Sequence, residues 1–440
     1  GAQWVREEFT ASDLHSTPAG KYSWEPYDRI VNEERRAGLH ILGLLDYSNT
    51  WSFQDHASVP HSAISRVSAD FARYAFAMAR HFRGRITYWQ IWNEPNTEQF
   101  WQPFPVAGDY ATLVTAASRA IRRADPNAHV VLAGVSGMDL SFVRDVAART
   151  HAFDVVAVHP YRSLPEPSFA GQVSSLRTLR HPVWFSEIGW AAGDGCDGCY
   201  DETEQARYLV RFYTLAAAAG IQRVFWYDLR DDVQSTTNPE AHFGLVRRDL
   251  SAKPAFTAYA LLSRLLTGST FVRADLHGGH GLYAFRFAGR KTDVTVVWNA
   301  SDTTRQVSIP WAHPYAQLLN ANGDVLAELS TAAGHITITA PQGGEPFYLV
   351  DRVPTYYLAP LGPLLRTAPR PPARPPSPHR PQSGKRTTTK AQTGAWAAPV
   401  LVEKPKTRST PSPSEHAVSA PVHRVATSRA APKPTSTPAH

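Results

Sequence analysis

The chain has 440 residues, 43% of them hydrophobic and 19% charged, with 35 prolines, two cysteines and a formal net charge of +7. That length suggests two or three domains. Two cysteines exclude a disulfide framework, and no Cys/His set has zinc spacing. No apolar run approaches the roughly 20 residues of a membrane helix. The chain opens on Gly1 without a signal-like segment, so a removed or missing upstream piece is expected.

Short apolar runs alternate with amphipathic stretches. Strands are predicted at 2–8, 39–46, 86–92, 129–135, 153–159, 182–187 and 222–228. Helices are predicted at about 26–37, 61–82, 108–124, 139–149, 168–179, 201–219 and 253–266. Pro26 suits a helix first turn and Gly38 a helix stop. The strands are near-continuously apolar, as in a parallel sheet buried on both faces. A doubly wound sheet would need a Gly-rich phosphate turn after an early strand, and none is present. Seven βα units are one short of a (β/α)₈ barrel. The expected fold over 1–267 is therefore an α/β TIM barrel lacking its first βα unit, with an unpaired gap between the 2–8 and 222–228 strands.

After Gly268 the period changes to two. Strands are predicted at 270–276, 282–288, 292–299, 305–309, 316–320, 325–329, 335–339 and 346–351, with Asn322-Gly323 as a hairpin turn. This reads as a small β-sandwich over 268–352. Residues 353–440 hold 18 of the prolines and 13 Lys/Arg against Glu403 and Glu415, a balance of +11 that leaves −4 for the rest. Such a Pro/Ser/Thr/Lys mixture cannot bury enough apolar surface to offset the entropy of ordering, so a disordered tail is expected. It reads either as an arm for an anionic polymer or as a passive linker.

In a βα barrel the reactive groups sit at the C-terminal ends of the strands. Those ends carry Arg6, Asp46, Tyr47, Asn93, Glu94, His159, Tyr161, Glu187, Trp226 and Asp228. Glu94 and Glu187 come from well-separated strands of one rim, which is the pairing a glycosidase needs: one carboxylic acid protonates the leaving oxygen and one carboxylate attacks the anomeric carbon. Arg6 and Tyr161 would keep Glu187 ionised. Trp92 and the charge of Glu187 would push Glu94 toward its protonated form. Asn93 is placed to meet a sugar 2-hydroxyl. Trp24, Trp51, Trp101, Trp190 and Trp226, with Tyr22 and Tyr47, fall in or beside catalytic-end loops, where flat apolar faces suit sugar C–H surfaces, although several can equally pack between loops. Asp228 has the alternative of pairing with Arg230, and His159 that of a structural histidine.

YWQIWNEPN at 88–96 followed by VWFSEIGW at 183–190 resembles the acid/base and nucleophile motifs of clan A glycoside hydrolases, and in particular of glycoside hydrolase family 39 with its bacterial exopolysaccharide-hydrolase-like members. WVREEF at 4–9, LGLLDYS at 42–48, AVHPY at 157–161, VFWYDLRDD at 224–232 and HFGLVRRDLSAKP at 242–254 are similar to that family in the same order. The resemblance implies Glu94 as acid/base, Glu187 as nucleophile and Asn93 as the 2-hydroxyl contact. It implies Arg6, His159, Tyr161 and Trp226 as supports, and a further strand before the WVR strand.

Cys196 and Cys199 lie in the loop GDGCDGCYDE, where a local disulfide is the preferred reading and free thiols the alternative. The acidic residues Asp194, Asp197, Asp201, Glu202 and Glu204 lack an EF-hand pattern and read as a solvated loop with helix N-terminal carboxylates rather than a calcium site. The expected function is a retaining glycoside hydrolase acting on a glycan, without metal or organic cofactor. The alternative is a catalytically impaired carbohydrate-binding protein on a truncated barrel. Polymeric substrates and paired cysteines point to a secreted or extracytoplasmic location.

Overall fold

The computed structural model describes residues 1–11, 22–47, 59–232, 237–289 and 292–351. Trp51 and the whole of the basic tail lie outside these residues. Strand and helix alternate from the start: β1 (Trp4–Thr10), α1 (Glu25–Arg36), β2 (His40–Asp46), α2 (Ile64–His81), β3 (Tyr88–Ile91) and α3 (Ala107–Ala124). The alternation continues through β4 (His129–Leu132), β5 (Val135–Ser136), α4 (Leu140–Ala147), β6 (Val156–His159), α5 (Phe169–Arg177), β7 (Val183–Ile188), α6 (Glu202–Ala218), β8 (Arg223–Trp226) and α7 (Pro254–Leu266).

Local chemistry sets these boundaries. Pro26 opens α1, acidic residues occupy its first turn, Arg35 and Arg36 its last, and Gly38 leaves it at a φ of 80° that favours glycine. In α2 the buried Val67, Phe71, Tyr74, Ala75 and Met78 recur at helical spacing and face the sheet. Asp201 caps α6 by accepting from the Glu204 N–H at 2.7 Å, and Glu204 reciprocates. Glu202 pairs with Arg247. Three carboxylates of the acidic loop thus serve the start of a helix.

All the barrel strands pair in parallel, in the orders β1-β2-β3-β4 and β5-β6-β7-β8. The single strand expected at 129–135 is split into β4 and β5. A Cβ on Gly134 would lie 1.9 Å from His159 Nε2 and 2.6 Å from Ser186 Oγ, so only glycine admits these side chains. The backbone groups freed at the break are used elsewhere: Ala133 N–H donates to the Tyr110 hydroxyl at 2.6 Å, and the Gly134 carbonyl accepts from Glu94 N–H at 3.1 Å. Leu132 N–H to the Val155 carbonyl carries the layer on to β6. Among the described residues β1 and β8 are not paired with each other. At the N-terminal end of the strands the Arg223 guanidinium lies 4.9 Å over the Trp4 ring, and Trp4, Tyr88, Trp184 and Phe225 fill the interior there.

The C-terminal β-region is built from β9 (Thr270–His277), β10 (Leu282–Ala288), β11 (Asp293–Asn299), β12 (Arg305–Pro310), β13 (Tyr315–Leu319), β14 (Val325–Ser330), β15 (His335–Ala340) and β16 (Phe347–Val350). Six strands form one sheet in the order β14-β13-β16-β11-β10-β9, and β12 and β15 form a second. Alternation along β11 explains the layering. Val297 packs with Val307, Ile309 and Ile338 of the small sheet, whereas Val294, Val296 and Trp298 join the core that includes the barrel helices.

Outside the site one carboxyl pair stands out. Glu7 on β1 and Glu34 on α1 hydrogen-bond side chain to side chain; burial and then the charge of Glu8 raise Glu7 from the ordinary 4.5 to about 7 against that hydrogen bond, and burial, the charge of Glu7 and the same hydrogen bond raise Glu34 to about 8. The folded state therefore holds protons here that the unfolded chain has already released, and stability falls as pH rises from about 4.5 through about 8. Glu34→Gln is expected to flatten that decline, raising the melting temperature at pH 9 relative to the parent while changing it little at pH 4.5. Identical pH profiles for the two proteins would refute the pairing.

Candidate active site

The strand ends converge. β3 stops at Ile91 and the chain turns sharply, with Trp92 at φ 69° and Glu94 at φ 40°. Non-glycine residues rarely occupy this region, and such strain collects at functional positions. The turn is pinned from several sides. Trp92 N–H donates to the Leu45 carbonyl at 2.8 Å. Asn96 accepts from Ser136 N–H at 2.8 Å and donates to its carbonyl at 3.1 Å. Thr97 Oγ1 donates to the Glu94 carbonyl at 3.0 Å. The Asn-Glu-Pro-Asn motif is thereby fixed between β3 and β5.

Glu187, at the end of β7, accepts from Arg6 NH1 at 3.0 Å on one oxygen and from the Tyr161 hydroxyl at 2.7 Å on the other. Arg6 also donates Nε to Gln90 Oε1 at 2.8 Å and NH2 to Asn93 Oδ1 at 2.9 Å, so one guanidinium ties β1, β3 and β7 together. Burial by itself would raise the Glu187 pKa; His159 and Arg6, with the hydrogen bonds from Tyr161 and Arg6, outweigh it and hold the carboxyl below its ordinary value. Burial, and then the charge of Glu187, push the Tyr161 hydroxyl well up, so it stays a proton donor.

Glu94 is buried and has a different partner. Its Oε1 lies 2.8 Å from His159 Nδ1, and the same nitrogen is 3.7 Å from Glu187 Oε2. Those two carboxylate oxygens are no further apart than these distances laid end to end, about 6.5 Å. His159 Nε2 shares a 3.0 Å hydrogen bond with Ser186 Oγ, which accepts from Gln90 Nε2 at 3.0 Å. Gln90 then returns to Arg6. A hydrogen-bonded chain (Glu94, His159, Ser186, Gln90, Arg6, Glu187) therefore links the two acids, with the 3.7 Å approach of His159 to Glu187 across its open end.

The remaining predicted residues divide. Tyr47 follows β2 and packs edge-on against Trp92 and face-on against Phe100. Trp226, at the end of β8, is half-buried, with its indole N–H on the Phe243 carbonyl at 3.1 Å. Two expectations need correction. Trp190 was expected at the rim but is buried against Tyr208, Phe212 and Trp226, with its N–H on the Ser163 carbonyl; no face is left for a sugar. Asp46 is fully buried, and its charge falls on Tyr47 and Tyr74, making it an interior group behind the rim. His159 likewise is completely buried and meets the carboxylates instead of solvent. Trp101 is core, and Trp24 stacks on His81 at 4.0 Å. Asp228 does not pair with Arg230, whose guanidinium donates to the Arg248 carbonyl. Burial first, and then Asp232 and Asp231, raise Asp228 to about 8.

Sequence reasoning missed Gln90, Ser186, Gly134 and Glu240. The first two are the polar members of otherwise apolar strands, which was the available signal. Glu240 follows β8 and feels the charges of both Glu187 and Glu94 after its own burial, all of which raise its pKa. Cys196 and Cys199 form a disulfide in the loop after β7. Among the described residues no group of His, Cys, Asp and Glu is arranged to hold a metal ion, and no helix is long and apolar enough to cross a membrane.

Two strand-terminal glutamates on a parallel α/β barrel, one clamped ionised and one set on a histidine, define a clan A glycoside hydrolase. The family model described as Cellulase (glycosyl hydrolase family 5) matches residues 1–229. The chain belongs to that glycosidase family. Its fold is shared with solved structures of neighbouring families. A family 39 glycoside hydrolase from the gut symbiont Bacteroides cellulosilyticus WH2 superposes with a TM-score of 0.67 at 22% identity, over 80% of this chain and 75% of that one. The GH39 enzyme from Xanthomonas axonopodis pv. citri gives 0.57 at 17%, over 79% and 87%. A GH30 endoxylanase from Clostridium papyrosolvens C71 gives 0.58 at 11%, over 80% and 89%. No curated protein matches the chain.

Proposed function

We propose that the protein is a retaining glycoside hydrolase that cleaves β-linked glycans or glycosides bearing an equatorial 2-hydroxyl. The observation that carries this reading is the arrangement of the two glutamates around His159 Nδ1, which keeps their nearest oxygens within about 6.5 Å. Retention needs about 5–5.5 Å, whereas inversion needs room for a water between the acids. Glu187 attacks the anomeric carbon as the glycosidic C–O bond breaks, and Glu94 gives its proton to the departing oxygen. Water then attacks the glycosyl ester, Glu94 takes its proton, and the bond to Glu187 is released. Asn93, oriented through its Oδ1 by Arg6, offers its amide N–H to the 2-hydroxyl, with Tyr47, Trp226 and Asp228 around the sugar.

The endoxylanase among the structures that share this fold makes xylosides the first substrates to try. The lack of β1–β8 pairing among the described residues is compatible with a further βα unit, and residues 268–352 read as an appended sandwich domain. The Cys196–Cys199 disulfide favours an extracytoplasmic setting, and the basic tail an anionic neighbour. A 2-deoxy-2-fluoro-xylosyl fluoride is expected to leave one covalent sugar on the peptide carrying Glu187, read by mass spectrometry. Turnover of an aryl xyloside without such a label would sink the double-displacement reading.

A further inference from the structure

The stretch 160–168, after β6, carries Tyr161 and is fastened at three points. Arg162 donates to the carbonyl of Pro160 at 3.0 Å and to Gln172 at 2.8 Å, and lies over the Phe169 and Phe212 rings at 5.3 and 5.7 Å. The Ser163 carbonyl accepts from both Trp190 Nε1 at 3.3 Å and the Tyr200 hydroxyl at 3.0 Å. Glu166 supplies the third point and leaves the barrel to do so. Its carboxylate takes two 2.6 Å bonds from Arg211 on α6 and a 2.9 Å bond from the indole N–H of Trp298 on β11. Arg211 and Glu166 are 4% and 7% exposed, so this is a dry junction where a missing donor is felt. The C-terminal β-region closes over it. A Cβ on Gly344 would lie 2.2 Å from Arg211 NH1, and Trp298 is held in a stack with Tyr283 at 4.9 Å.

We propose that Trp298 and Arg211, acting through Glu166, are positioning residues for the stretch that carries Tyr161, so that the C-terminal β-region takes part in setting the nucleophile. This rests on the assignment of Glu187 above. Tyr161 is one of only two direct hydrogen-bond donors to Glu187 among the described residues, and its backbone is continuous with the anchored turn. The Trp298 indole N–H has no role in the β-sheet ladder, so its hold on Glu166 is separable from folding of the sheet.

Trp298→Phe keeps a ring against Tyr283 and removes the one donor. Amide hydrogen exchange in the full chain is expected to speed up roughly tenfold or more across 160–168 while β10, β11 and the barrel strands keep their protection. On 4-nitrophenyl β-xyloside, kcat should fall roughly five- to twentyfold with KM within about twofold, and Trp298→Phe should add nothing further in a Tyr161→Phe background. Unchanged exchange at 160–168, or multiplicative effects of the two substitutions, would overturn the inference. A parent protein inactive on the xyloside would count against the substrate reading alone, and the exchange measurement would still decide this one.

Discussion

Glu187→Gln is expected to abolish turnover, by about four orders of magnitude or more, on substrates with good and poor leaving groups alike. Without the carboxylate no glycosyl ester forms, and no neighbouring group replaces it: Arg6 is a cation, and burial alone still holds the Tyr161 hydroxyl protonated. Glu94→Gln is expected to behave differently. General-acid assistance is worth about 10²–10⁴, and a 2,4-dinitrophenolate leaving group does not need it. Glycosylation of that substrate should be nearly unaffected and deglycosylation should become limiting, seen as a burst followed by a slow steady state. Equal losses for both variants on the activated substrate would mean that the roles are wrong.

Arg6→Met is the second large effect. Arg6 donates to Gln90, Asn93 and Glu187 at once, and the Arg6 and Glu187 side chains are only 14% and 15% exposed. Breaking a buried pair on one side costs about 3–5 kcal/mol; if the transition state loses as much, kcat/KM falls by roughly 10²–10⁴. The pH dependence gives the more specific readout. Burial raises the Glu187 pKa, and removing Arg6 takes away one of the opposing influences, so the carboxyl should protonate at higher pH. The acidic limb of the kcat/KM profile, which reports the free enzyme, should then move up. A limb that stays in place while the rate falls would show that Arg6 works on substrate binding alone. Arg6→Lys should recover only part of the loss, because an ammonium cannot hold three acceptors in a planar fork.

Much of this architecture is legible in the sequence, for physical reasons. Strands buried on both faces and strands with one buried face leave different periods, and the eight predicted strands after Gly268 correspond one for one to β9–β16. The proposed catalytic pair is legible because a barrel puts its chemistry at strand ends, and Glu94 and Glu187 stand there. What a strand end does not encode is depth. Asp46 and Trp190 sit at the right height but are turned inward, a difference decided by packing partners far along the chain. Gln90 and Ser186 are visible in principle as polar residues within apolar strands, but their use depends on Gly134 opening a space between β4 and β5. The Glu166–Trp298 bond joins residues 132 apart, between segments that no local pattern links.

The left-handed backbone at Trp92 and Glu94 has a bearing on how this sequence can drift. A side chain in that conformation works against folding by about 1 kcal/mol per residue, a burden glycine would not carry. At position 94 glycine would relieve that backbone cost while removing the carboxyl proposed as acid/base and its bond to His159, so backbone fit and the proposed chemistry pull in opposite directions there. If the proposed role holds, the residue at 94 reports on the chemistry in a way that an intact barrel does not.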